Sequence, residues 1–314
     1  MSSELKLQEL ACSKIPWSNF CSFILLILAA PHDGMNLRWL FHYVVGRLYI
    51  MQFIYFTKTL KELALPALVE FCKETGVDGL DLAIRPGYPI EPTNALVELP
   101  KFAAIMKQNK LDIPLVSAPT SLIDAESKEA KNLFEACALA GVPMIKIGYF
   151  TYKGNFNEDL QGARKKLQGF SKLAQATKVK AVYHTHSGAN IGNNAVSLKE
   201  LLNDFDPHHI GAFADTGHLA VNGGPIKMEL EILRPWLSTI AIKDILWEQS
   251  EVDWAFKVVP ASLGIVRWND VSKGIKEVKF QGTIVLHGEY DASGIPNRKE
   301  LAKNELAFLK KQFA

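Results

Sequence analysis

The stretch GAFADTGHLAVNGG, residues 211–224, decides the fold of this chain. Its apolar start, together with the two residues before it, predicts a short buried strand over residues 209–214. Asp215 and His218 follow directly, which places a carboxylate and an imidazole at the C-terminal end of that strand. In a barrel of alternating strands and helices this end is the catalytic face, where the two side chains can converge on one metal ion or one sugar hydroxyl. The simpler alternative is that Asp215 caps the next helix and His218 is a loop residue.

Strand-like and helix-like stretches alternate on both sides of this segment, from Met51 to the C-terminus. The predicted strands are residues 52–57, 79–84, 113–117, 144–149, 180–184, 209–214, 239–243 and 283–287. The predicted helices are residues 63–75, 97–109, 127–140, 158–177, 198–203, 226–233, 268–278 and 298–312. This alternation predicts an α/β fold, a (β/α)8 TIM barrel. An open doubly wound sheet is disfavoured because no glycine follows the first strand.

Composition limits the classes of partner. Of the 314 residues, 48% are hydrophobic and 22% are charged, as in a soluble globular protein. Lys plus Arg number 35 and Asp plus Glu number 33, so a basic surface for nucleic acid is not indicated. The four cysteines form no CxxC pair, which favours a reduced, cytoplasmic protein. The sequence is compatible with a homo-oligomer and does not define the number of subunits.

Residues 1–50 are interpreted as an N-terminal apolar extension to the barrel domain, residues 51–314. Two apolar runs, residues 20–30 and 37–50, both fall short of the roughly 18 to 20 apolar residues that span a bilayer. The first run resembles a signal-peptide core, which would make the protein exported or, through residues 20–50, membrane-associated. We favour a dispensable leader, because the chain from Met51 onward matches the roughly 250 residues of a TIM barrel. Membrane contact is then expected only if the extension is retained.

Polar residues collect at the C-terminal ends of the predicted strands. In strand order they are Lys58; Asp81 and Arg85; Thr120; Lys146 and Tyr149; His184 and His186; Asp215 and His218; Lys243 and Asp244; His287 and Glu289. Of the six histidines after Met51, four lie at these ends, whereas His208 and His209 lie at the start of a strand. The C-terminal rim of the barrel is therefore the predicted active site.

A divalent metal site is predicted at this rim. The candidate ligands are His184, His186, Asp215, His218, His287 and Glu289. Imidazole and carboxylate suit manganese, zinc, iron or cobalt, and two His with one carboxylate leave coordination positions open. The alternative is that these histidines only hydrogen-bond substrate hydroxyls or backbone groups.

The chemistry that fits such a site is proton abstraction next to a carbonyl. It needs a base, together with positive charge near the oxygens of the resulting enediolate. The candidate bases are Glu289, His184 and His287. Lys146, Lys243 and a bound cation could hold the oxyanion, although each lysine could instead be a salt-bridge partner. For Lys243 the neighbouring Asp244 makes the structural role equally plausible.

Four further residues are predicted to bind the substrate, namely Arg85, Tyr149, His186 and Trp247. Aromatic rings beside charged groups suit sugar stacking and hydroxyl binding, although they are also common in the packing of a barrel rim. Arg85 and Lys146 are weak evidence for a phosphate, so phosphorylation of the sugar stays open.

At these residues the chain resembles the xylose isomerase-like TIM barrel superfamily, and most of all its sugar phosphate isomerase/epimerase branch. The resemblance covers residues 52–314, and its most specific motifs are GVDGLDLAIRPG (76–87), HTHSG (184–188), DTGH (215–218), IKD (242–244) and LHGEY (286–290). It implies a TIM barrel that isomerises or epimerises a small sugar. The superfamily also holds inosose dehydratases and endonuclease IV.

The resemblance also implies roles for single residues. In the better-understood epimerases a metal is held by a Glu on strand five, the Asp of a DxxH motif, a His on strand seven and a Glu on strand eight. The two glutamates also exchange the substrate proton. Asp215 matches the Asp ligand, and His218 matches the motif's His, which contacts substrate and is a further catalytic candidate. The other three positions hold His184, Ala241 and His287. His184, Asp215 and His287 together can still hold a metal. They cannot reproduce the proton exchange between two glutamates.

We therefore expect an enzyme that isomerises, epimerises or eliminates from a small polyhydroxylated substrate through an enediolate-like intermediate. The alternative is a non-catalytic barrel that binds a sugar or a partner and has lost the family's metal ligands. Sugar binding without turnover or metal would favour that alternative. A DNA-repair endonuclease is disfavoured, because that branch needs more His and Glu ligands for several zinc ions.

Overall fold

The computed structural model describes residues 51–314, the whole of the predicted barrel domain. The predictions for residues 1–50, a signal or anchor against a dispensable leader, lie outside the described residues. Within the described part, no helix combines the length and the apolarity that a membrane crossing requires.

Eight parallel strands close into a barrel, which confirms the predicted fold. The strands of the chain are β1 (Gln52–Phe56), β2 (Gly79–Ala83), β3 (Asp112–Ser117), β4 (Met144–Lys146), β5 (Lys180–His184), β6 (Ile210–Asp215), β7 (Leu237–Ile242), β8 (Asp244–Gln249), β9 (Trp254–Val259) and β10 (Thr283–Leu286). The order around the barrel is β1, β10, β7, β6, β5, β4, β3, β2, and β1 closes on β10 with Gln52 opposite Thr283. The C-terminal ends of these eight strands therefore form one rim.

Nine α-helices lie in residues 51–314, and they include all eight that the sequence predicts. They are α1 (Leu65–Thr75), α2 (Ala95–Gln108), α3 (Lys128–Ala140), α4 (Phe156–Thr177), α5 (Ala195–Leu202), α6 (Thr216–Asn222), α7 (Ile226–Leu233), α8 (Trp268–Glu277) and α9 (Gly294–Phe313). Local sequence sets their ends, as in α3, where the Ser127 hydroxyl accepts the Ala130 N–H and Gly141 ends the helix at φ 71°. The additional helix, α6, begins directly after Asp215, where the sequence predicts a loop.

The barrel interior is a small apolar cluster, and the larger core lies between strands and helices. The interior residues are Ile54, Phe56, Ala83, Leu115, Val182, Phe213, Ala241 and Val285. The ring of Phe213 packs against the imidazoles of His184 and His287, with centroid distances of 4.6 and 5.8 Å. The apolar interior thus forms the floor of the polar rim.

Strand β4 is shorter than predicted, since it ends at Lys146 and not at Tyr149. Beyond it, the amides of Gly148 and Tyr149 donate to carbonyl groups in the loop after β3. A side chain at Gly148 would meet the Thr120 carbonyl oxygen at 2.4 Å, so this close approach requires glycine. The chain leaves the sheet here and turns Tyr149 into the mouth of the barrel.

Strands β8 and β9 form an antiparallel hairpin in a region without predicted elements, residues 244–267. Asp244 lies opposite Val259 at its base and Gln249 opposite Trp254 at its tip. Residues 246–249 and 254–257 are all exposed, so the two faces do not differ in burial. Apart from the two-residue spacing of Phe256 and Val258, the alternating pattern that reveals a half-buried strand is therefore missing from the sequence.

Candidate active site

Four adjacent strands carry the predicted metal ligands and one predicted catalytic lysine. His184 is the last residue of β5 and Asp215 the last of β6, while Lys243 and His287 directly follow β7 and β10. Because β5, β6, β7 and β10 are neighbours in the barrel, these side chains meet on one side of the mouth. We call this side the β5–β10 side.

Asp215 uses its two carboxylate oxygens differently. Oδ1 accepts the N–H groups of Gly217 and His218 at 2.9 and 3.0 Å and so caps α6. Oδ2 faces the site, 3.2 Å from His184 Nε2. Burial works to raise the pKa of Asp215, but Lys243, His218 and His184 outweigh it and hold that pKa well below its ordinary value. Asp215 therefore caps α6, as the simpler sequence interpretation expects, but His218 lies within that helix and not in a loop. The role of Asp215 as a metal ligand stays a prediction.

His184, Asp215 and His287 are buried and present ligand atoms that all lie within 4.8 Å of one another. His287 Nδ1 lies 3.4 Å from Asp215 Oδ2. Tyr149 Oη lies 2.9 Å from His184 Nδ1, which leaves Nε2 facing the carboxylate. His184 Nε2, Asp215 Oδ2 and both nitrogens of His287 are buried without a hydrogen-bond partner among the described residues. Burial lowers the pKa of both imidazoles, so they are neutral, and this donor set fits a divalent metal ion.

Lys243 places its ammonium group beside this set. Its Nζ lies 2.6 Å from Glu289 Oε2, 3.1 Å from His218 Nε2 and 3.4 Å from Asp215 Oδ2. Burial works to lower the pKa of Lys243, but the two carboxylates outweigh it and hold that pKa above its ordinary value. Lys243 is therefore a charged donor with three acceptors around it.

Asp244, which the sequence offers as a partner for Lys243, turns away from the site. Its carboxylate accepts the N–H groups of Ile245, Ser262, Gly264 and Val266 and the indole N–H of Trp268, at 2.9 to 3.1 Å. Asp244 therefore fixes the segment from β9 to α8, and the charge of Lys243 depends on Asp215 and Glu289 instead.

His218 is a neutral imidazole in the same network. Burial lowers the pKa of His218 to about 3. Because Lys243 donates to Nε2, the ring proton lies on Nδ1 and is donated to Ser187 Oγ at 2.8 Å. The ring of His186 packs against it with a centroid distance of 4.0 Å.

Both oxygens of Glu289 are engaged in ion pairs. Oε1 pairs with Lys58 and Oε2 with Lys243. Burial works to raise the pKa of Glu289, but Lys243, His287 and Lys58 outweigh it and hold that pKa far below its ordinary value. Glu289 is thus an ionised group that two lysines share.

The opposite side of the mouth, which we call the β2–β4 side, carries Arg85 after β2 and Lys146 at the end of β4. Lys146 is 3% exposed, and its Nζ lies 3.8 Å from the centroid of the Tyr149 ring. Neither the Lys146 ammonium nor Arg85 Nε has a hydrogen-bond partner in residues 51–314. Burial, together with the charge of Arg85, lowers the pKa of Lys146 to about 7.

A cavity of about 300 Å³ opens between the two sides. Its lining includes seven of the eight predicted catalytic and substrate-binding residues: Arg85, Lys146, Tyr149, His186, His218, Lys243 and Glu289. Trp247, predicted to bind substrate, is outside the lining; it lies on β8, where its ring meets that of Phe256. Phe256 and Val258 of β9 line the cavity in its place. Their two-residue spacing is the only sequence signal that could have identified them.

The family described as "Xylose isomerase-like TIM barrel" matches residues 69–312. The chain belongs to the xylose isomerase-like TIM barrel family. A comparison with curated proteins finds no match.

Solved structures of several sugar epimerases resemble this one in fold. The apo 3-keto-D-glucoside 4-epimerase of E. coli superposes with a TM-score of 0.66 at 14% identity over 83% of this chain and 99% of that chain. D-psicose 3-epimerase of Clostridium cellulolyticum H10, solved with D-tagatose, gives 0.64 at 12% identity over 84% and 99%. D-allulose 3-epimerase of Methylomonas sp., in complex with D-allulose, gives 0.65 at 12% identity over 84% and 97%. At these identities the likeness establishes the fold alone.

In this xylose isomerase-like barrel, β7 contributes no residue to the group that could hold a metal ion. Ala241 stands at the position that the resemblance assigns to a histidine, and its side chain packs in the barrel interior. Within residues 51–314, the group that could hold a metal is the predicted one, His184, Asp215 and His287.

Proposed function

We propose that this xylose isomerase-like barrel is an isomerase or epimerase of a small polyhydroxylated carbonyl compound. The reaction passes through an enediolate-like intermediate and depends on a divalent metal, which is manganese, zinc, iron or cobalt. One observation carries the proposal: Asp215 Oδ2 lies just below the cavity lining, with His184 Nε2 at 3.2 Å and His287 Nδ1 and Lys243 Nζ at 3.4 Å. Unpartnered ligand atoms and a charged donor converge there on one small volume.

His184, Asp215 and His287 would hold the metal. A bound divalent cation supplies positive charge to the oxygens of the substrate as they become an enediolate. The two imidazoles are neutral at neutral pH and need lose no proton to bind it.

Lys243 and Glu289 carry the proton chemistry in this proposal. Glu289 is ionised and accepts the proton from the carbon next to the carbonyl. The ion pair with Lys243 at 2.6 Å weakens Glu289 as a base in the resting site. As negative charge develops on the substrate oxygen, Lys243 donates an N–H to it, and the basicity of Glu289 then rises. His218 keeps Lys243 in place through Nε2 and faces the same cavity.

The cavity wall suits a sugar. Its volume of about 300 Å³ lies at the lower end of the range of small-molecule sites. Tyr149 and Phe256 offer rings for stacking, and the lining also contains the imidazole of His186 and the hydroxyls of Ser117 and Thr120. The cytoplasmic location and the homo-oligomer stay predictions.

Metal content tests the first half of the proposal. The full chain, purified without chelator, should hold about one divalent ion when measured by plasma mass spectrometry. Asp215→Ala and His287→Ala should each reduce it at least about tenfold. His208→Ala is the matched control, since His208 is 91% exposed and lies at the opposite end of the barrel. A full chain that holds no metal and takes up none when it is added would contradict the proposal.

Proton exchange tests the second half. Incubated in D2O with a panel of ketoses and inososes, the metal-loaded protein should replace the hydrogen next to the carbonyl of its substrate by deuterium, as followed by proton NMR. Glu289→Gln should abolish this exchange while retaining the metal. If a sugar binds tightly, with neither exchange nor metal, the protein is instead a non-catalytic binding barrel.

A further inference from the structure

We infer that the substrate is an anionic sugar derivative, bearing a carboxylate or a phosphate, and that Arg85 and Lys146 bind its anionic group on the β2–β4 side of the mouth. This inference rests on the proposed function, because it deepens the substrate class of the same cavity.

The charges around the cavity do not balance. Four cationic side chains line it, namely Lys58, Arg85, Lys146 and Lys243. Among the described lining residues they face one carboxylate, Glu289, and both of its oxygens are taken by Lys58 and Lys243. Asp215, below the lining, is likewise paired with Lys243. Arg85 and Lys146 therefore remain without a carboxylate partner within 4.0 Å in residues 51–314. Because the pKa of Lys146 is about 7, its charge is incomplete near neutral pH, and an anion beside it would raise that pKa and complete the charge.

Of the four cations, Lys146 is the one whose buried ammonium group lacks a hydrogen-bond acceptor in residues 51–314. Its side chain is buried, and its ammonium group rests on the face of the Tyr149 ring without a hydrogen-bond acceptor. A ring face compensates only part of the hydration that a buried ammonium loses. An anionic group in the cavity would supply the missing acceptor and the missing charge.

Asp81 is the nearest candidate for a protein counter-ion, but it does not fill this role. It is completely buried and lies outside the cavity lining, where Oδ2 accepts the Ser117 hydroxyl at 3.0 Å. It makes no ion pair within 4.0 Å with Arg85 or Lys146. Burial raises the pKa of Asp81 to about 7, so even its own charge is incomplete near neutral pH.

Arg85 is placed to complete the subsite. Its guanidinium lies 5.6 Å from the centroid of the Phe56 ring, a position that orients the planar group without consuming its N–H donors. A guanidinium with free donors binds carboxylate and phosphate through two parallel hydrogen bonds.

The subsite is separate from the reacting end of the cavity. Arg85 follows β2 and Lys146 ends β4, whereas the proposed metal ligands lie at the ends of β5, β6 and β10. Tyr149 joins the two sides, because its ring lies under Lys146 and its hydroxyl contacts His184. A substrate that spans the mouth thus places its carbonyl at Lys243 and its anionic group at Lys146. A neutral ketose would leave both cations uncompensated.

Calorimetric titration of the full, metal-loaded chain at constant ionic strength tests this. The probes are inorganic phosphate and two matched pairs, D-gluconate against D-glucitol and D-glucose 6-phosphate against D-glucose. We expect the anionic member of at least one pair to bind about tenfold more tightly or better, as one charge-assisted pair allows. The pair that shows the preference distinguishes a sugar acid from a sugar phosphate, and a response to inorganic phosphate supports the latter.

Substitutions assign the effect to the subsite. Lys146→Met and Arg85→Met should each reduce the preference for the anion to about twofold or less. Lys107→Met, which removes an exposed lysine at the C-terminal end of α2, should leave it unchanged. The inference is overturned if the two members of each pair bind with equal affinity, or if neither anion binds. It is also overturned if the preference for the anion survives both Lys146→Met and Arg85→Met. Metal content and deuterium exchange are measured on the same samples. If the anion preference is absent while the protein still holds metal and still exchanges deuterium, this inference fails and the proposed function stands.

Discussion

Lys243 Nζ lies 3.4 Å from Asp215 Oδ2, the same carboxylate oxygen that faces the imidazoles of His184 and His287. The same nitrogen contacts Glu289 Oε2 at 2.6 Å. One lysine charge therefore holds together a buried carboxylate and a half-buried one that would otherwise repel each other. Any divalent ion at Asp215 has to share that oxygen with Lys243, which couples metal binding to this ion pair.

Replacement of this lysine tests the coupling. Lys243→Met leaves the buried Asp215 carboxylate without its lysine and Glu289 with Lys58 alone, so the free energy of unfolding should fall by about 3–5 kcal/mol, as measured in urea. Added Mn2+ or Zn2+ should raise the melting temperature of the variant more than that of the parent protein, because the metal then replaces the lost charge without repulsion from Lys243. Equal shifts in the two proteins would show that the lysine and the metal do not interact.

Lys146→Met should have the opposite effect on stability. Removal of a buried ammonium without a hydrogen-bond partner should raise the free energy of unfolding at pH 7 by about 1–3 kcal/mol while it weakens substrate binding. Lys107→Met is the surface control. A loss of stability at pH 7 would mean that Lys146 has a partner inside the protein.

The pH dependence of this gain follows from the pKa of Lys146, which is about 7 in the folded chain against the ordinary 10.5. Between these values the unfolded chain binds more protons than the folded chain, so this lysine makes the parent protein more stable as the pH rises. The advantage of Lys146→Met should therefore be largest at and below pH 7 and should shrink towards pH 10. Urea titrations of parent and variant at pH 6, 8 and 10 measure it, and an advantage that grows with pH would contradict the assignment.

A pair of substitutions distinguishes the two roles of Asp215, the cap of α6 and the proposed metal ligand. Asp215→Asn retains an acceptor for the capped amides of α6, whereas Asp215→Ala removes both functions. Metal content should fall equally in both variants. The Ala variant should nevertheless be less stable than the Asn variant by about 1 kcal/mol, the usual value of an N-cap. Equal stability would show that the cap bonds are not needed to begin α6.

The ring of Phe256 is expected to matter more to a bound sugar than that of Trp247. Phe256 lines the cavity, whereas Trp247 supports it from outside with ring centroids 5.6 Å apart. Phe256→Ala should weaken sugar binding about three- to tenfold in a calorimetric titration, and Trp247→Ala should weaken it less. The reverse order would place the substrate on the outer face of the hairpin.

The alternation of strands and helices was sufficient to predict the barrel, because strands buried on both faces appear as short apolar runs and helices buried on one face keep their 3.6-residue period. The same argument predicted the rim, since a residue at the end of a parallel strand has little freedom in where it lies. His184, Asp215 and His287 therefore meet as expected. These are the features that local periodicity determines.

The pairing of charges within the site could not be predicted in the same way. Lys243 is adjacent in sequence to Asp244 but pairs with Asp215 and Glu289, because successive residues leave a strand in opposite directions. The isolation of Lys146 is likewise invisible in the sequence, since it depends on which groups other strands bring near it. Whether a lysine is paired is a tertiary property, and stability and binding depend on it.

The last prediction concerns Asp244 and the β8–β9 hairpin, which carries Phe256. Its carboxylate accepts the amides of Ser262, Gly264 and Val266, and it holds Ser262 at φ 82°, a conformation that a residue with a side chain adopts at a cost. A Cβ on Gly264 would lie 2.3 Å from Asp244 Oδ1, so Gly264→Ala should displace the same bonds as Asp244→Ala.

Both substitutions should lower the free energy of unfolding by about 2–5 kcal/mol and speed hydrogen exchange in β8, β9 and residues 260–267. Glu251→Ala, which removes an exposed carboxylate at the hairpin turn, is the control. Because His184, Asp215 and His287 belong to other strand ends, metal content should not change. If the hairpin stays protected in both variants, it is held by its own cross-strand pairs. If metal content falls with that protection, Asp244 supports the metal set as well, and the hairpin and the site are one cooperative unit.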